Sequence, residues 1–268
     1  MSIAANIRQE AATYLGSLYE KSLSITAFLQ ARMGVLAIAW LLFTVPLALL
    51  RLAYSASPIH SMADALGIVL AYSLVIAAPI AGFVIARGAF GSAKALRQPS
   101  FRISPPGRWR RLSRSEARQN PVFGPVGFMA SLLIGMLLNV VVRTGEFFMA
   151  VPAMNHHAPG WGQAMFMVMS MDVVVTSFFY MVAFVMALRS IPMFPRMLAF
   201  AWAVDIVMQF AIAKQITMAG NIPPMVVEPL LTLLDANITK VLISAAVWLP
   251  YLILSERVNV TYRQRLAA

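Results

Sequence analysis

Residues 65–86 read ALGIVLAYSLVIAAPIAGFVIA, an unbroken apolar run without a charged side chain. At about 1.5 Å per residue, a helix of this length spans the roughly 30 Å hydrocarbon core of a bilayer. Lipid offers the backbone no hydrogen bonds, so such a segment crosses only as a helix that satisfies its own. Working outward from it, six spans are expected at Gly34–Leu52, Ala65–Ala86, Val122–Val142, Gly162–Leu188, Met197–Ala213 and Ile238–Leu254. The expected fold is therefore all-α, a polytopic membrane protein of about six transmembrane helices.

Composition agrees. The 268 residues are 60% hydrophobic and only 12% charged, against about 25% charged for a soluble domain. The net charge of +11 does not point to nucleic acid, because the basic residues lie between apolar blocks and not on a soluble face. There is no cysteine, which excludes disulfides, thiolate metal sites and cysteine catalysis. Basic residues are retained on the cytoplasmic side of a membrane, so their distribution gives an orientation. One side holds Arg8, Lys21, Arg32, nine residues from Arg87 to Arg118, then Arg189, Arg196, Arg257, Arg263 and Arg265. The other holds Arg51, Arg143, Lys214 and Lys240. Both termini are accordingly expected in the cytoplasm, with His60, His156 and His157 on the outer side. The expected location is a bacterial inner membrane.

Four regions follow. Met1 to Arg32 places Ile3, Ile7, Ala11, Tyr14 and Leu18 opposite Asn6, Gln9, Glu10, Thr13 and Glu20, the pattern of an amphipathic helix lying in the interface. It has no short apolar core with a cleavage site, so no removable signal peptide is expected. Residues 33–87 form a two-helix extension. Residues 88–120 form a basic cytoplasmic loop with Pro99, Pro105, Pro106 and Gly107 ahead of Arg108, Arg110, Arg111, Arg114 and Arg118, which suits anionic headgroups or an acidic partner subunit. Residues 121–265 form a four-helix unit. Within it, Asn221 to Asn237 is apolar but carries Pro223, Pro224 and Pro229, and is expected to be an interfacial cap. No internal repeat supports an inverted-repeat transporter.

From Pro121 onward the chain resembles a family of small bacterial multi-pass membrane proteins known only as a domain of unknown function, usually four helices long. The resemblance rests on Gly124-Pro125-Val126-Gly127-Phe128-Met129, on acidic Asp172, on Phe194-Pro195-Arg196, and on the ending Trp248-Leu249-Pro250-Tyr251, Ser255-Glu256-Arg257-Val258 and Thr261-Tyr262. Members of that family carry Lys where Glu256 and Asn259 stand here. The resemblance implies a fold and no activity.

Asp172 and Asp205 stand out because a carboxyl inside a span is costly and faces a partner or a cavity. Both are expected near mid-membrane on adjacent helices, with Thr176 and Gln209 four residues further on. Two close carboxyls would share a proton, which suits a proton relay or a cation site. The rival is a structural hydrogen-bonded pair, or an acid neutralised by Arg143, Arg196 or another subunit. Asn139, Arg143 and Glu146 share one helix face and are expected to form a local ion pair at the outer surface. His156 and His157 precede Met165, Met167, Met169 and Met171, ligand types that suit Cu(I); of these, His156, His157, Met165 and Met169 would be the copper set. Residues two apart on a helix point away from each other, so packing is the simpler role for the methionines. No Gly-rich phosphate loop or nucleophile motif is present, and no cofactor or enzyme activity is expected. The expected role is an accessory, scaffold or assembly subunit of a larger membrane complex. The alternatives are a proton or small-solute transporter using Asp172 and Asp205, and copper handling at the outer face.

Overall fold

A computed structural model describes residues 3–90, 98–99, 107–219 and 222–268, with side chains from residue 16 onward. Helix α1 (Ile3–Ala31) leads into six helices long and apolar enough to cross a membrane: α2 (Met33–Ala53), α3 (Met62–Ala89), α5 (Phe128–Ala150), α6 (Gly160–Leu188), α7 (Phe194–Met218) and α8 (Pro224–Leu254). The short elements β1 (Trp109–Arg111), α4 (Arg114–Gln119), α9 (Glu256–Arg263) and β2 (Arg265–Ala267) lie together at the end of the bundle shared with the C-terminus.

Three boundaries differ from the sequence expectation by six residues or more. The third span starts at Phe128 and not Val122, because Gly124 and Gly127 adopt positive φ (104° and 65°) around Pro125 and hold the lead-in outside the helix. It also continues past Val142 to Ala150, so Arg143 and Glu146 lie within a span and not at its mouth. The expected interfacial cap at 221–237 is instead the start of α8: Pro223 is the N-cap and Pro224 the first helical residue, positions where a missing N–H costs nothing. Asn221 lies outside the described residues, as do Pro105 and Pro106. The side chains of Ile3, Ile7, Ala11 and Tyr14, on which the apolar face of α1 was expected, also lie outside them.

α6 is the central helix, with 67% of its most apolar stretch buried against 11% for α2 and for α8. α3 packs along it so closely that a Cβ on Gly82 would fall 2.7 Å from the Phe178 carbonyl oxygen, the close backbone approach that small residues permit between helices in lipid. The four methionines of α6 separate as the helical period requires. Met165 and Met169 are buried, whereas Met167 and Met171 are exposed. At the other end of α5, the Arg51 guanidinium donates to the Phe148 and Met149 carbonyls, which a helix C-terminus leaves unpaired.

The expected basic loop is partly folded. β1 pairs antiparallel with β2, Arg111 opposite Arg265, and the Arg265 guanidinium lies 4.0 Å from the Trp109 ring centroid. α4 opens with a capping box in which the Ser113 N–H donates to Glu116 at 2.6 Å and the Glu116 N–H to the Ser113 hydroxyl at 3.2 Å. The Ser113 N–H and hydroxyl hold the Glu116 carboxyl below its ordinary pKa. Arg108, Arg110, Arg111 and Arg118 remain exposed, and the Arg110–Glu116 pair at 4.0 Å is solvent-exposed and contributes little.

Motifs distant in sequence converge here. Gly124 N–H donates to the Thr261 hydroxyl at 2.9 Å, and Gly127 N–H to the Ser22 hydroxyl at 2.7 Å. The Thr26 hydroxyl donates to the Pro125 carbonyl at 3.2 Å, which seats α1 on the lead-in of α5. Buried Asn259 accepts from Arg263 at 3.1 Å and from Arg265 at 3.0 and 2.9 Å through one oxygen; a lysine there would add a third cation. Tyr262 is fully buried, packs its ring tilted against Phe194 with centroids 4.9 Å apart, and donates to the Ala187 carbonyl at 2.9 Å. Burial pushes its hydroxyl pKa well above the ordinary value, so it stays a donor. Tyr262→Phe is expected to cost about 1 kcal/mol through the lost hydrogen bond, and Tyr262→Ala about 3–5 kcal/mol through the cavity. Thermal unfolding of the detergent-solubilised protein measures both.

Candidate functional site

Arg143 of α5 projects between α6 and α7, where both intramembrane aspartates meet it. Its Nη2 donates to Asp172 Oδ2 and Oδ1 at 2.8 and 2.9 Å, its Nε reaches Asp172 Oδ2 at 3.3 Å, and its Nη1 donates to Asp205 Oδ1 at 2.6 Å. All three side chains are buried, Asp205 completely. The planar fork of arginine engages Asp172 with two nitrogens while its third nitrogen serves Asp205.

A second ring of polar groups completes the cluster. The Tyr180 hydroxyl donates to Asp205 Oδ2 at 2.9 Å. Gln209 Nε2 lies 3.1 Å from Asp172 Oδ1 and 3.5 Å from Asp205 Oδ1, and Asn237 Nδ2 of α8 donates to Gln209 Oε1 at 3.4 Å. The cluster therefore ties four helices, α5 to α8. Asp172 lies about 18 Å along α6 from its start at Gly160, and Asp205 about 20 Å from the end of α7 at Met218, so both sit well inside the apolar layer.

The expected residues divide as follows. Asp172, Asp205, Gln209 and Arg143 come together. Thr176 does not reach a carboxylate: its hydroxyl donates back to the Asp172 carbonyl at 2.6 Å. The local ion pair expected on α5 is absent among the described residues. Arg143 turns inward to the aspartates, Glu146 pairs across helices with Lys240 at 2.5 Å, and half-buried Asn139 takes no part. The reason is that a guanidinium at membrane depth gains far more from two buried carboxylates than from one partly exposed carboxylate a turn away. Tyr180 and Asn237 were missed. Tyr180 follows Asp172 at i+8 on one α6 face, a weak signal that could have found it, whereas Asn237 fell in the segment read as an interfacial cap.

The copper set is not assembled. Met165 and Met169 are buried in a hydrophobic cluster with Tyr72, Phe148 and Phe166, while the His156 and His157 rings turn to Asp64 Oδ1.

Four cavities bordered by described residues have none of Arg143, Asp172 or Asp205 in their walls. One, of about 290 Å³, is an apolar cleft between α2, α3 and α5 lined by Trp40, Phe43, Phe83 and Val140. Another, of about 500 Å³, lies at the C-terminal end beside Arg87, Arg118 and Arg189. No family model, curated protein or solved structure matches this chain.

Removing the cation leaves two carboxylates buried without it. Arg143→Met is expected to destabilise the solubilised protein by about 3–5 kcal/mol, and Arg143→Met combined with Asp172→Asn and Asp205→Asn to recover most of that loss. Thermal unfolding followed by circular dichroism distinguishes the two; an unchanged midpoint in the single variant would refute the assignment.

Proposed function

We propose that this chain is a non-catalytic integral membrane protein that serves as an accessory, scaffold or assembly subunit of a larger membrane complex. Its setting on this reading is a bacterial inner membrane, with both termini cytoplasmic. The observation that carries the proposal is the occupation of both intramembrane carboxylates by the chain's own Arg143, Tyr180 and Gln209. A transport site must present its polar groups to a solute through a cavity, whereas here they are spent on one another to set helix register. The exposed arginines of the C-terminal end and the thinly packed α2 and α8 supply surfaces for partners and for anionic lipid.

A second reading has one observation in its favour. One guanidinium faces two carboxylates, so the cluster carries a net negative charge unless one carboxyl holds a proton. A proton carrier working through Asp172 and Asp205 would use that imbalance. Mass spectrometry of proteins that copurify from native membrane in gentle detergent separates the two. Stoichiometric partners are expected; recovery of this chain alone would overturn the accessory reading, and proton-uptake assays on Asp172→Asn and Asp205→Asn would then test the carrier.

The orientation has its own check, made clean by the absence of cysteine. A membrane-impermeant maleimide applied to intact spheroplasts is expected to label Gly160→Cys, where the added side chain meets open space. It is expected to leave Ser115→Cys, on exposed α4, unlabelled until the membrane is opened. The reverse pattern would invert the topology.

A further inference from the structure

The loops joining α2 to α3 and α5 to α6 are pinned together at the end of the bundle away from the C-terminus. Ala56 N–H and the Ser55 hydroxyl both donate to the Ala153 carbonyl at 3.0 Å, Asn155 N–H donates to the Ser57 hydroxyl at 2.8 Å, and Asn155 Nδ2 to the Pro58 carbonyl at 2.8 Å. Buried Asn155 also accepts from the His157 N–H at 2.9 Å, the turn that an Asx side chain favours. This framework brings His156 and His157 over the first turn of α3.

There Asp64 is held in one orientation. Its Oδ2 accepts from the His60 and Ser61 N–H groups, both at 2.8 Å, which leaves Oδ1 facing the His156 and His157 rings. His156 Nε2 lies 3.3 Å and His157 Nε2 3.2 Å from that one oxygen, and the two imidazole centroids are 4.1 Å apart. All three ligand atoms lie within 4.8 Å of one another. Around a tetrahedral zinc with ligands at about 2.0–2.1 Å, neighbouring ligand atoms stand about 3.3–3.4 Å apart. The two nitrogen-to-oxygen distances match those edges.

We propose that Asp64, His156 and His157 form a binding site for a divalent metal ion of the zinc class. Two imidazoles and a carboxylate are a borderline-hard nitrogen and oxygen set that suits zinc and not Cu(I), and the thioethers that would favour copper are buried elsewhere. The carboxylate is already oriented by backbone donors through its second oxygen, the supporting interaction that metal-binding carboxylates need. Both imidazoles are substantially exposed, so the fourth position is open to water. Binding bridges two loops that otherwise join through hydrogen bonds. The site lies outside the Arg143 cluster and is independent of the accessory reading.

The test uses the full chain purified without a histidine tag, stripped with chelator and re-equilibrated with zinc. One equivalent of zinc per chain is expected, with a zinc-dependent rise in the thermal midpoint and, for cobalt as probe, the intense visible absorption of a tetrahedral ion. In His156→Ala/His157→Ala, binding is expected to weaken at least about tenfold and the zinc-dependent rise to disappear. The metal-free midpoint should hold, because both substituted side chains are solvent-exposed. No zinc bound by the unaltered chain, or equal binding by the double variant, would overturn the proposal and leave a His157 hydrogen bond and a His156 contact to Asp64.

Discussion

Arg143 between Asp172 and Asp205 is the contact on which the arrangement of the second half depends. Each of these side chains, alone at the centre of a membrane helix, costs about 2.5–3.5 kcal/mol to insert. Together they satisfy one another only when α5, α6 and α7 stand at one register, because the guanidinium must present one edge to Asp172 and its remaining nitrogen to Asp205. Apolar packing between helices in lipid is tolerant of sliding and rotation, since the lipid tails are as apolar as leucine. A charged cluster is not tolerant, and it converts a bundle held by dispersion into one with a fixed register.

The C-terminal end works differently. There the chain closes on itself through ordinary protein interior: Tyr262 against Phe194, Thr261 on the Gly124 lead-in, and β2 on β1. Ser22 and Thr26 add α1 to the same knot. The result links the first helix, the middle loop and the last residues at one end, while the opposite end is joined by the loops that carry Ser57, Asn155 and the imidazoles. The membrane layer between them is held by the polar cluster and by the close approach of α3 and α6 at Gly82.

Much of this was legible in residue order. The six spans follow from the energetics of a backbone in lipid, which act on each segment alone, and the division of the α6 methionines follows from the helical period. Asp172 and Asp205 could be singled out because a carboxylate in a span is anomalous wherever its partner lies. Proline misled at residues 223 and 224, where it starts a helix and does not break one, because the first turn needs no N–H from those residues, and the helix runs on through Pro229. Glycine misled at the lead-in of α5, where positive φ at 124 and 127 ends a run that composition alone would continue.

What the sequence determined by itself is what local physics decides: which segments are helices, which are apolar enough to lie in a bilayer, and where charge is out of place. Only the tertiary structure decided which charges meet. Arg143 has Glu146 one turn away and aspartates on two other helices, and no spacing rule along one helix weighs those choices. The outcome rests on burial, since a guanidinium at depth gains most where the dielectric is lowest and two carboxylates already need a cation. The same holds for Asp64, the acidic residue in the first turn of α3. Its meeting with His156 and His157 exists because two loops, remote along the chain, are bound edge to edge.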